Sequence, residues 1–303
     1  MRLKSVFRKV AVAAAAMSTL FAMPAVAQAD NVNKENVVIF GDSLFSNPTY
    51  AQVNSPQSWG LSSEVFHQGK AGAPSPQGCP QGDLKVGSVL KRTYGHNVVD
   101  YSCSGARAGG VSIRNNFTSQ STHALRTGAL NKNTSHVLVQ FGANDTPGIL
   151  FGAGAEVISN SSLQAKDYYQ SMNENISRVK RAAPNAKITV VSYPAITSSS
   201  GSFCPVRTDV GMDAFGTGVD MNITSTVHNT EKKINGAMYK VAKRNNVNYF
   251  DLSSITKGNS SCASNSKRYI AGLFETGMAN NISLHYTDKG VYGVANILNN
   301  SVL

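Results

Sequence analysis

Apolar and polar positions alternate along the chain on two length scales. Five short runs, residues 37–40, 97–101, 136–141, 187–193 and 247–251, are almost continuously apolar and rich in β-branched side chains. Runs this short with no polar face predict strands buried on both sides, as in a parallel sheet. Between the third and fourth runs, Tyr168, Met172, Ile176 and Val179 recur at helical spacing, and Pro184 follows, which predicts a helix over 167–183. Val227, Ile234, Met238, Val241 and Ala242 mark a second helix between the fourth and fifth runs, and a last one is expected from Thr287 to Leu298. Helices around the second run are not legible. Strands alternating with helices predict a three-layer α/β/α sandwich.

Three stretches rich in glycine, serine and proline interrupt this order, near 69–87, 197–218 and 253–281. The last two follow expected strands directly and so fall at the carboxyl edge of the sheet, where open α/β sheets bind ligands. Cys79, Cys103, Cys204 and Cys262 lie in or beside these stretches. Four cysteines allow three pairings, and proximity in sequence favours Cys79 with Cys103 and Cys204 with Cys262. A zinc site would require a close CxxC pair or a neighbouring histidine, and the chain has neither. Disulfides closing loops of this size contribute about 3–4 kcal/mol each in a chain-entropy account.

Ahead of the first strand, Arg2, Lys4, Arg8 and Lys9 form a basic head, residues 10–23 are apolar and rich in alanine, and Ala27-Gln28-Ala29 precedes Asp30. This is the pattern of a secretory signal peptide cleaved after Ala29. The apolar run falls short of the roughly 20 residues of a spanning helix. An extracellular protein is therefore expected, with residues 30–303 as one domain, no stable membrane insertion and a monomeric state. Loss of the basic head lowers the formal charge from +11 to about +7. The remaining basic residues are scattered, which argues against nucleic acid as a partner and leaves only a weak preference for anionic surfaces such as phospholipid or cell-wall polymer.

The strongest chemical signal is Val37-Val38-Ile39-Phe40-Gly41-Asp42-Ser43-Leu44. A buried strand running into glycine and then serine sets a hydroxyl, and the Ser43 N–H, at the carboxyl edge of the sheet. The competing reading is a plain turn in which Asp42 or Ser43 caps a helix. Cys103-Ser104-Gly105-Ala106 follows the second strand and Phe141-Gly142-Ala143-Asn144-Asp145 the third. Three donors, the N–H of Ser43, the N–H of Gly105 and the Asn144 amide, could then converge as an oxyanion hole. A serine hydroxyl also needs a base. His67, His96, His123 and His136 fall in expected polar loops or at a strand edge, and His228 in a helix. His285 alone follows the fifth strand and precedes the last helix, in Ser283-Leu284-His285-Tyr286-Thr287-Asp288.

In order and position, Ser43, Gly105, Asn144 and His285 resemble the serine, glycine, asparagine and histidine of the GDSL, or SGNH, hydrolase family. The resemblance runs from Val37 to about Leu298 and is nearest to the secreted actinobacterial lipases and phospholipases. It implies a five-stranded parallel sheet of flavodoxin-like order 2-1-3-4-5, an acyl-ester substrate, an acyl-enzyme on Ser43, and no metal or organic cofactor. One departure stands out. The family carries an aspartate three residues before its histidine, and here that residue is Ile282. Some relatives are dyads in which a backbone carbonyl replaces the acid, so a Ser43–His285 dyad is expected, with the Ser283 or Ile282 carbonyl accepting the Nδ1–H of His285. Asp288, three residues after the histidine, is expected to cap the last helix. Leu44, Phe45, Trp59 and Leu61 could line an acyl groove or be core. The resemblance also leaves open a carbohydrate O-deacetylase, an acyltransferase, and, from another class, a non-catalytic envelope-binding protein on a hydrolase fold.

Overall fold

A computed structural model describes residues 35–53, 69–110, 116–145, 163–207, 218–219 and 224–303. The leader expected over 1–29 lies outside them, as do Trp59, Leu61 and His67. In chain order the strands are β1 (Asn36–Gly41), β2 (Val98–Asp100), β3 (Thr134–Gln140), β4 (Lys187–Val191), β5 (Val206–Arg207), β6 (Gly218–Val219), β7 (Asn248–Phe250) and β8 (Phe274–Glu275). The α-helices are α1 (Ser43–Ser46), α2 (Val86–Tyr94), α3 (Phe117–Arg126), α4 (Leu163–Ala182), α5 (Thr224–Arg244), α6 (Leu252–Ile255) and α7 (Asp288–Ser301).

The five apolar runs form one five-stranded sheet in the order β2-β1-β3-β4-β7, with every neighbouring pair parallel. Counting only the strands of this sheet, that is the expected 2-1-3-4-5. β1 is buried at all of its positions and pairs with β2 on one side and β3 on the other. Helices cover both faces: α2 packs on α7, while α3, α4 and α5 pack in series. That double cover is why Val37 to Phe40 has no polar alternation.

The helical stripes fall where spacing put them. Tyr168, Met172, Ile176 and Val179 on α4 are all fully buried, as are Met238, Val241 and Ala242 on α5. α4 begins at Leu163, upstream of the expected start. α7 is capped by Thr287, whose hydroxyl accepts the N–H of Gly290 at 3.0 Å. α3 shows no apolar stripe in the sequence because half of its inward face is polar: Gln120 and Ser121 are buried beside Phe117 and Ala124. His123, expected in a loop, lies in the last turn of that helix, its ring 5.9 Å from that of Tyr101.

The two later polar stretches are not wholly irregular. β5 pairs antiparallel with β6 and parallel with β8, making a second, three-stranded sheet that two-residue strands are too short to announce in sequence. Disulfides join Cys79 to Cys103 and Cys204 to Cys262. The first fastens the loop before α2 to the exit of β2; the second fastens the loop after β4 to the loop after β7. Of the residues that could line a groove or be core, Leu44 and Phe45 are core. Both are buried in the main core, and Phe45 lies against Gly41, where an added Cβ would meet its ring at 2.8 Å.

Candidate active site

Three strand ends and one late loop meet at the carboxyl edge of the sheet. At the exit of β1 the chain turns at once into α1. Asp42 is the helix cap, its Oδ1 accepting the N–H of Leu44 at 3.0 Å. The capping reading of this motif is therefore correct for Asp42, and it is compatible with a functional Ser43. As the first residue of the helix, Ser43 carries an N–H for which the helix has no acceptor. The turn is clamped from the side by Gln120 of α3. Its amide is fully buried, donates to the carbonyl of Gly41 at 2.8 Å and accepts the Gly41 N–H at 3.0 Å.

The exit of β2 is tied to the same point, since Cys103 N–H donates to the Gly41 carbonyl at 3.0 Å. A tight turn follows, closed by the Ala106 N–H on the Cys103 carbonyl at 3.2 Å. Its third residue, Gly105, has φ of +69°, which a residue with a Cβ adopts only at a cost. At the exit of β3, Asn144 sits in a short 3-10 turn and its amide donates to the carbonyl of Ala106 at 2.9 Å. An asparagine amide has two N–H groups, so one remains after this anchoring bond. Asp145 steadies the pair by accepting the N–H groups of Ala108 and Gly109 at 2.9 and 3.1 Å.

His285 arrives from the far end of the sequence. Its Nε2 lies 2.7 Å from Ser43 Oγ, and its Nδ1 lies 2.8 Å from the carbonyl oxygen of Ser283. A carbonyl only accepts, so Nδ1 carries the hydrogen and Nε2 presents its lone pair to the serine hydroxyl. Burial lowers the imidazole pKa below the ordinary histidine value, and the Ser283 carbonyl partly opposes that shift. The histidine loop is rigidly held. The N–H of Ala271 donates to the His285 carbonyl at 2.8 Å, and that of Leu284 to the Gly272 carbonyl at 3.1 Å. Leu284 is forced to φ +62°, a left-handed conformation costly for a residue with a branched side chain. Packing against Phe203 and Val227 holds it there.

All four residues singled out from the sequence thus lie on elements that converge, and Ser43 and His285 touch. Of the two carbonyls expected to hold Nδ1, that of Ser283 does so and that of Ile282 does not. Asp288 lies in the first turn of α7 while Thr287 is the cap, so the residue expected as the cap is its neighbour. Among the described residues no cluster of three or more His, Cys, Asp or Glu is placed to hold a metal ion.

A buried partner of the serine turn has no signature in the sequence. The fully buried Asp42 accepts a hydrogen bond from the hydroxyl of Tyr193, beyond β4, and that same oxygen accepts the N–H of Ala143 at 3.0 Å. Tyr193 therefore links the serine turn to the asparagine turn. Burial raises the Asp42 carboxyl to about 7, against the lowering effect of its bonds to Tyr193 and Leu44. Asp145 is raised to about 6, also by burial. A tyrosine ending a strand reads in sequence as one more core aromatic, and nothing local marks its hydroxyl.

Residues 39–291 match the model of the GDSL-like Lipase/Acylhydrolase family. The chain belongs to that family. Membership makes this GDSL-like hydrolase an enzyme that cleaves carboxylic esters. No curated protein matches it by sequence. Among solved structures it is similar to a phospholipase A1 from Streptomyces albidoflavus NA297, with a TM-score of 0.53, 18% identity, and coverage of 89% of this chain and 100% of that one. It is also similar to an extracellular lipase from Streptomyces rimosus, with a TM-score of 0.52, 15% identity, and coverage of 88% and 100%. At such identities the likeness is one of fold. Among the described residues of the GDSL-like hydrolase, no helix is long and apolar enough to cross a membrane.

Proposed function

We propose that the chain is a secreted serine ester hydrolase that works through a Ser43–His285 dyad. The observation that carries this reading is the unbroken relay from Ser43 Oγ through the imidazole to the Ser283 carbonyl, at 2.7 and 2.8 Å. Ser43 Oγ attacks the ester carbonyl carbon while its proton passes to Nε2. The oxygen of the tetrahedral adduct rests on the N–H groups of Ser43 and Gly105 and the Asn144 amide. Collapse expels the alcohol, which takes the proton from Nε2, and leaves the acyl group on Ser43. Water then attacks, giving its proton to Nε2, and the acid departs as Ser43 recovers its hydrogen. A neutral carbonyl holds the imidazole tautomer as a carboxylate would, but stabilises imidazolium less.

Secretion rests on the leader pattern over 1–29 and agrees with two disulfides, which persist in oxidising compartments. A purely binding role would leave the serine–histidine contact without a purpose. Ser43→Ala should abolish hydrolysis of p-nitrophenyl acetate with the thermal midpoint unchanged within a few degrees. Turnover retained in that variant would end the assignment.

A further inference from the structure

A second concave site opens at the same edge of the sheet, beyond the exits of β4 and β7. It is a cleft of about 660 Å³, and Ser43, Gly105, Asn144 and His285 do not line it. Its floor is built from buried polar groups. The carboxylate of Glu231 on α5 accepts the N–H groups of Ile196 and Thr197 at 3.0 and 3.2 Å and the hydroxyl of Thr197. The Thr197 oxygen also lies 2.7 Å from His228 Nδ1. With its single hydrogen committed to Glu231, Thr197 can only accept from the ring, so Nδ1 of His228 carries a hydrogen.

One wall is aromatic. Tyr239 is 47% exposed, and Lys243 Nζ lies 6.0 Å from its ring centroid. The ring is steadied edge-on by Tyr249, with centroids 5.3 Å apart and planes at 79°. Hydroxyl side chains also line the cleft, from Ser198 and Ser199 after β4 and Ser253 and Ser254 after β7. Among the lining residues two lysines, Lys232 and Lys257, are matched in number by two carboxylic residues, Glu231 and Asp251. A site for phosphate or another anion would leave cations in excess, and a lipid site would be mainly aliphatic. An aromatic ring beside hydroxyls and acceptors, with lining cations and carboxylic residues equal in number, matches a ligand that has both C–H faces and many hydroxyl groups.

We propose that this cleft binds a neutral polysaccharide chain, holding the enzyme on a glycan surface. The site is independent of the ester chemistry at Ser43. Native affinity electrophoresis of the full chain tests it, in gels containing hydroxyethylcellulose, glycol chitin, xylan or soluble starch in turn. Uncharged polymers are required because the protein is basic. At least one polymer should retard the protein, and Tyr239→Ala should weaken that retardation about tenfold, the loss of one stacked ring. Gly236→Leu is the second variant: an added Cβ there meets nothing within 4 Å, so the side chain projects into the cleft and the helix is not disrupted. It should weaken retardation as strongly. Turnover of p-nitrophenyl acetate, a soluble ester, should be unchanged in both. No retardation by any of the four polymers, or retardation that both variants keep, would overturn the proposal. So would retardation by dextran sulfate alone, which would assign the cleft to anions. If the wild-type chain were retarded but hydrolysed no ester, the dyad would fail and this site would stand.

Discussion

Removing one hydroxyl, in Tyr193→Phe, should produce a loss of stability that depends on pH in a way ordinary core damage does not. Tyr193 donates to the carboxyl of Asp42 and accepts the Ala143 N–H, with Asp42 fully buried. The Asp42 carboxyl titrates near 7 in the folded protein against 3.8 in the unfolded chain. Between those values the native state holds a proton that the unfolded state has released. Stability on this account falls as pH rises from about 4 to 7, by on the order of 4 kcal/mol. Below pH 5 the tyrosine contacts a neutral carboxyl, and its loss should cost about 1 kcal/mol. Above pH 8 it contacts a buried carboxylate, and the cost should reach about 2–3 kcal/mol. Urea denaturation of wild type and variant at pH 5 and pH 8.5 gives both differences directly. Equal costs at the two pH values would refute the argument, because the hydroxyl would then not be serving the Asp42 charge. The same variant should lower kcat about tenfold with KM nearly constant, since the tie between the serine and asparagine turns is cut while substrate contacts remain.

Other outcomes follow from the same geometry. Asp288→Ala should leave ester turnover within about threefold of wild type and cost about 0.5 kcal/mol of helix stability, whereas His285→Ala should lose turnover altogether; comparable losses in the two would establish an unusual triad in place of the dyad. Burial favours the neutral imidazole of His285. Activity should therefore persist to a pH below the ordinary histidine value of about 6.5 and fall only at more acid pH; a kcat/KM profile with its acid limb above 7 would contradict this. Gln120→Leu removes both bonds to Gly41 from a fully buried site and should destabilise the fold by roughly 2–3 kcal/mol, with a fall in kcat at temperatures where the variant is still folded. Unfolding that is indistinguishable from wild type would show the clamp to be dispensable.

What the sequence determined by itself is what local periodicity and strand-end punctuation encode. Unbroken apolar runs such as Val37 to Phe40 identified the sheet, because only double-sided burial removes every polar position. Stripes such as Tyr168, Met172, Ile176 and Val179 identified the long helices. The serine, glycine and asparagine were legible because each follows a strand, and in a parallel sheet all strands end at one edge; the histidine was legible from its place in a loop just before the last helix. α3 was hidden because buried Gln120 and Ser121 erase its apolar stripe, and the small sheet because two-residue strands carry no period. Only the tertiary structure decided the partners of buried polar groups. That Gln120 grips Gly41, that Tyr193 reaches Asp42, and that the carbonyl of Ser283 rather than Ile282 holds the imidazole depend on contacts between distant segments. A buried donor takes whichever acceptor the fold brings to it, and that choice leaves no mark on the residues beside it in the chain.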